Sequence, residues 1–188
     1  MKRPSLAAIS IFATALGLLP ATASAQSLDA HVHGEANMAI VIEDHDLSVS
    51  LMSAMYNIIG FEHAPETDDQ RETLQTAMIL LDDGLQLFEI NPAAQCTLTS
   101  SQHSLSHEED RSDTDESEAE EAHPHNHRDL EADYEFFCRK PSKLTSVRVR
   151  LFDHFGNLQK VNVVTLVGGR QSAVVLTPEQ ETLSLAGS

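Results

Sequence analysis

Between the only two cysteines of the chain, Cys96 and Cys138, lies a stretch that cannot build a core. Residues 104–128 hold nine acidic residues, four histidines, several serines and almost nothing apolar. Ordering each such residue costs about 1–2 kcal/mol of backbone entropy with no hydrophobic return, so the stretch reads as a flexible acidic, histidine-containing loop. The cysteines read as a disulfide that ties its base. Cys96 shares strand parity with Leu98, and Cys138 with Tyr134 and Phe136, so both thiols are expected to face the core. A metal-binding thiolate pair is the rival reading, and it lacks a CxxC spacing.

A disulfide needs an oxidising compartment, and the N-terminus supplies the route. Lys2 and Arg3 precede an apolar run from Leu6 to Leu19 and the small residues Ala23-Ser24-Ala25, the pattern of a cleavable signal peptide spanning residues 1–25. The run is shorter than the roughly 20 residues of a spanning helix, so no membrane insertion is expected after cleavage. The remaining residues 26–188 are about the size of one domain. Losing Lys2 and Arg3 takes the formal charge from -17 to -19. So acidic a chain argues against nucleic acid and disfavours anionic membranes as partners, because both need a basic surface; an acidic surface attracts cations or serves only solubility.

Outside the loop the patterns are those of a strand-rich domain. Met38, Ile40 and Ile42 alternate with their neighbours, a polar turn follows at Glu43 to Asp46, and Leu47, Val49 and Leu51 alternate again, which predicts a β-hairpin. Val147, Val149 and Leu151 predict a further strand with one buried face. Strands near Val161–Val167 and Ser172–Leu176 flank Gly168-Gly169, a hairpin turn signal, and Pro178 ends the series. One main helix is predicted from about Asp68 to Asp83: Thr67 and Gln70 fit a capping box, Leu74, Ala77, Met78 and Leu81 recur at helical spacing, and Gly84 is the expected stop. The fold class is therefore α+β, β-rich and mostly antiparallel, with the helix on a sheet and the acidic loop at one edge.

The residues able to carry chemistry are histidines and carboxylates. In His31-Val32-His33-Gly34-Glu35, an extended strand would point both histidines and Glu35 to one side, away from the core, unless a bulge at Gly34 intervenes. Two imidazoles alone make a weak site, since zinc takes four protein ligands or three plus water. His63 and the adjacent Glu62, in a loop before the helix, are the candidates to complete it. The bland alternative for each is a surface side chain without a role. A second cluster, His123, His125 and His127 with His107 and His103 upstream, reads as a low-affinity metal collector or a solubilising loop. Imidazole suits Zn2+, with Cu2+ or Ni2+ also possible, so the ion is not settled by composition. His45 and His154 read as structural or surface residues. Glu131, Asp133 and Glu135 share one strand face, solvated or able to complete a site. Ligation by histidine is expected to weaken as pH falls through the ordinary imidazole range, because protonated imidazole cannot bind a metal.

The combination of a signal peptide, HVHGE at residues 31–35, NIIGFEHAP at 57–65, Cys96-Thr97-Leu98, a histidine-bearing insertion and Tyr134-Glu135-Phe136-Phe137-Cys138 resembles the ZrgA-like family of zinc-regulated periplasmic proteins. The resemblance runs through essentially the whole chain after residue 25. It implies zinc binding in the periplasm of Gram-negative bacteria in support of an ABC-type zinc importer. It also implies His31 and His33 as the first ligands, His63 next and the loop histidines as auxiliary. Family members often carry more loop histidines, and histidines on the following strand where this chain has Glu131, Asp133 and Glu135. The expected function is capture of zinc and support of its delivery to the importer. The alternatives are a metal buffer, a stress or interaction protein with incidental metal binding, or a zinc-dependent hydrolase. An enzyme is not expected, since the chain has no HExxH, nucleophile elbow or phosphate loop.

Overall fold

The computed structural model describes residues 32–107 and 128–185. The segment 1–25, read from the sequence as a signal peptide, and most of the acidic tract, with His31, His123, His125 and His127, lie outside the described residues.

Alternating apolar residues build the first hairpin as expected. Strands β1 (Glu35–Glu43) and β2 (Asp46–Ala54) pair antiparallel across a two-residue turn. Asp44 takes a positive φ of 50° there, a conformation acidic and amide side chains tolerate better than most. Two long strands, β4 (Cys96–His107) and β5 (Arg128–Cys138), form a second hairpin laid against β2, and β7 (Lys160–Val167) with β8 (Arg170–Leu176) forms a third. The resulting six-stranded sheet runs β4-β5-β2-β1-β7-β8, antiparallel except for the parallel β1–β7 pair.

One face of this sheet buries Met38, Ile40, Leu47, Val49, Leu51, Leu130, Tyr134, Phe136, Val161 and Val163. A small antiparallel sheet joins the same core through Phe88, Val147, Val149 and Leu183; its order is β3 (Phe88–Ile90), β6 (Ser146–Val149), β9 (Thr182–Ser184). The opposite face of the large sheet carries Glu131, Asp133 and Glu135, all exposed, with Ser48 and Ser50 donating hydrogen bonds of 2.6 Å to Glu135 and Asp133.

Of the four α-helices among the described residues, all but one are short. Helix α1 (Met55–Ile59) continues directly from β2, and α2 (Asp68–Leu81) packs Ala77 and Leu81 into the core. At the start of α2 both halves of the Thr67–Gln70 capping box are formed. Helices α3 (Gly84–Leu87) and α4 (Leu151–His154) are single turns.

Cys96 and Cys138 are joined, as read from parity, and they sit opposite each other as the first pair of the β4–β5 ladder. His45 secures that end, its Nδ1 2.8 Å from the Cys138 carbonyl and its ring stacked on Phe137.

Three expectations are corrected. The loop does not begin at Ser104 or extend through Arg128: the ladder continues to the Leu105–Leu130 and His107–Arg128 pairs, because strand pairing with β5 holds residues whose composition alone favours solvent. Leu151 is not a strand residue but opens α4. Gly84 is not a left-handed helix stop; it is buried at the start of α3, where a Cβ would lie 2.7 Å from Tyr134 Cδ1 and 3.1 Å from Leu98 Cδ1. The residue is glycine because the β4–β5 aromatic surface leaves no room. Gly84→Ala is expected to destabilise by about 1–3 kcal/mol through overpacking, measured as a fall in the urea midpoint; an unchanged midpoint would show that Tyr134 can shift aside.

Candidate metal centre

Of the residues singled out for metal chemistry, His33 and Glu62 meet at one corner, where β2 runs into α1. Asn57, on α1, is fully buried and does the organising. Its Oδ1 accepts from the Gly34 N–H at 2.6 Å, and its Nδ2 lies 2.8 Å from the Glu35 carbonyl, 3.1 Å from Ser53 Oγ and 3.2 Å from the Val32 carbonyl. The Gly34 carbonyl in turn accepts from the backbone N–H groups of Gln159 and Lys160 at 2.8 and 2.9 Å. The backbone between Val32 and Glu35 is thereby closed into a turn, with the Glu35 N–H 3.1 Å from the Val32 carbonyl. Gly34 stands at its third position with φ 84°, the left-handed conformation a type II turn requires there.

The expectation of an extended strand through His33 is corrected by this turn. Strand β1 starts only at Glu35, and His33 and Glu35 part company. Glu35 lies against β7, 2.5 Å from Lys160 Nζ. The hydrogen bond from Lys160 holds the Glu35 carboxyl below its usual range. The contribution of that ion pair is thus present above the ordinary carboxylate pKa and is lost as pH falls through the lowered value. Lys160→Met is expected to return the Glu35 titration upward toward its ordinary position, followed by NMR of the side-chain carboxyl; an unmoved titration would mean that Asn162 and the backbone suffice.

His33, at the second position of the turn, stacks on Tyr56 with ring centroids 4.2 Å apart and 17° between planes. Its Nε2 lies 2.9 Å from Glu62 Oε1. The His33 side chain is 53% exposed and that of Glu62 14%, so the imidazole is the more open partner of the pair. Glu62 is delivered by the end of α1, where Gly60 adopts φ 85° and its N–H bonds the Tyr56 carbonyl at 2.9 Å. His63 follows, its Nδ1 2.8 Å from the Ala64 carbonyl and its ring stacked on Phe61. Glu62 and His63 line one small crevice with Leu105 and Arg128, so the strand ends that carry the acidic tract border this corner.

The structure therefore brings His33 and Glu62 together, with His63 next to Glu62 along the chain, and pairs Glu35 with Lys160. Among the described residues, no three His, Cys, Asp or Glu side chains converge closely enough to enclose an ion. An exposed imidazole backed by a carboxylate suits zinc, and His33 with Glu62 is an incomplete set by the usual count of four ligands. His107 has its backbone on the ladder opposite Arg128. The remaining described histidines serve the fold: His45 at the disulfide end, His103 3.3 Å from Asp82 at the end of α2, and His154 edge-on to Phe155. Tyr56 and Asn57 are the site residues that sequence reasoning passed over. The signal for Asn57 was available, an amide inside the apolar run Met55–Ile59.

The family model described as ZrgA family zinc uptake protein matches residues 30–185, most of the chain and the whole of this corner. No curated protein sequence matches it. No helix among the described residues is long and apolar enough to cross a membrane.

Proposed function

The chain belongs to the ZrgA family of zinc uptake proteins, and from that premise we propose that it is a periplasmic zinc carrier, not an enzyme, that captures the ion and supports its delivery to an ABC-type importer. The observation that carries this reading is His33, an exposed imidazole held by a stacked tyrosine and a carboxylate on a turn pinned by Asn57. A ligand fixed in advance loses less freedom on binding, which favours affinity.

His33 is the primary zinc ligand in this account, and His63 is the neighbour able to join it. Chain connectivity adds the rest. His31 is one residue from Val32, and His123, His125 and His127 lie one to five residues from Arg128, within about 18 Å of it even if fully extended. Histidines tethered that close raise the effective concentration of zinc at the corner and make transfer to it intramolecular. The carboxylates of the tract attract the ion without holding it tightly. Export through the segment 1–25 and an oxidised Cys96–Cys138 pair suit the same compartment.

The test is zinc-limited growth of cells that depend on this protein, supplied with the full chain, with His33→Ala, or with residues 108–127 deleted. Growth is expected to fall in both variants, more with His33→Ala, and zinc supplementation is expected to restore it. Growth equal to the unaltered chain in both variants would contradict the carrier reading.

A further inference from the structure

We infer that Glu62 positions His33 and does not itself bind the ion, so that Nδ1 of His33 is the nitrogen that meets zinc. This rests on the reading that His33 takes zinc, and it names which atom does so and what fixes it.

The hydrogen bond to Glu62 favours one tautomer of His33. His33 Nε2 and Glu62 Oε1 are 2.9 Å apart, an ordinary length for N–H···O. With Glu62 ionised, its carboxylate only accepts, and Nε2 is then the nitrogen that carries the proton. In the neutral ring the lone pair is then on Nδ1. Burial agrees with this assignment: the Glu62 side chain is 14% exposed and that of His33 53%, so His33 is the more open of the two to solvent. Stacking on Tyr56 fixes the ring plane, and one short helix controls every support: Tyr56 under the ring, Asn57 under the turn, and Gly60 turning the chain to deliver Glu62. A carboxylate or carbonyl on the far nitrogen is the usual companion of a metal-bound histidine, fixing its tautomer and raising its basicity. His63 follows the same logic with the other nitrogen, since its Nδ1 faces the Ala64 carbonyl and leaves Nε2 to bind.

Two readouts test this on the exported form of the protein. With 15N-labelled histidine, long-range proton–nitrogen correlation spectra are expected to show His33 as the Nε2–H tautomer before zinc chloride is added. On addition, Nδ1 is expected to be the nitrogen that moves. In calorimetric zinc titrations Glu62→Gln, which keeps an accepting oxygen, is expected to stay within a few-fold of the unaltered protein. Glu62→Ala is expected to weaken binding by about 10–100-fold, with melting curves checking that each variant is folded. An Nδ1–H tautomer in the zinc-free protein, zinc contact through Nε2, or Glu62→Gln as damaging as Glu62→Ala would overturn the inference while leaving His33 as a ligand. His33 resonances untouched by zinc would overturn the carrier reading itself, and this inference with it.

Discussion

Asn57→Ala is expected to lower the stability of the domain by about 3–5 kcal/mol and to weaken zinc binding even where the variant is folded. Asn57 has no exposed surface and four partners, three of them backbone groups of the segment Val32 to Glu35. Removing the amide leaves a buried N–H and two carbonyls without it, at roughly 1–3 kcal/mol for each group left unsatisfied. Asn57→Asp offers no rescue, since a carboxylate can accept from Gly34 but cannot donate to Val32 and Glu35. Calorimetric melting reads the first effect, a drop on the order of 10 °C for a domain of this size. Zinc titration well below the lowered transition reads the second. A variant that melts within a degree or two of the unaltered protein would mean that the Gly34 backbone bonds to Gln159 and Lys160 hold the turn alone.

Loss of the disulfide is expected to be as costly to the fold and neutral to the site. The bridge closes a loop of sequence separation 42; the chain-entropy estimate for such a loop is about 4 kcal/mol. Cys138 is buried beside Phe136, and the bridge occupies the first pair of the β4–β5 ladder, while the His33 corner borders the last, His107–Arg128. The double replacement Cys96→Ser/Cys138→Ser should therefore shift the urea midpoint strongly downward yet leave zinc affinity of the folded fraction within a few-fold. Glu62→Ala is expected to do the reverse. A disulfide variant with normal stability, or one that loses zinc affinity while still folded, would contradict this division of the molecule.

What could be read from the sequence was local. The alternation in Met38 to Leu51, the Gly168-Gly169 turn and the Thr67–Gln70 capping box each state their structure within a few residues, and the parity of Cys96 and Cys138 depends only on their own strands. The features that were not legible are set by distant partners. Asn57 bends His33-Gly34 out of the strand from 23 residues away. Lys160 pairs with Glu35 across from β7, and Tyr134 turns Gly84 from a helix stop into a packing requirement. The small sheet escaped for a related reason: β3 and β9 are three residues each, too short for alternation to register. At the site, residue type pointed to His33, Glu62 and His63. The roles of their supports Tyr56 and Asn57 followed only from the placement of α1 under the turn, although an amide inside the apolar run Met55–Ile59 already marked Asn57.

The most direct test of the account is calorimetric zinc titration, with elemental analysis of the bound metal, on the protein from residue 26 onward and on its His33→Ala variant. The unaltered protein is expected to show a tight, near-stoichiometric phase followed by weaker uptake, and the variant only the weaker uptake. A tight phase that survives His33→Ala unchanged would place the zinc site elsewhere and contradict the account.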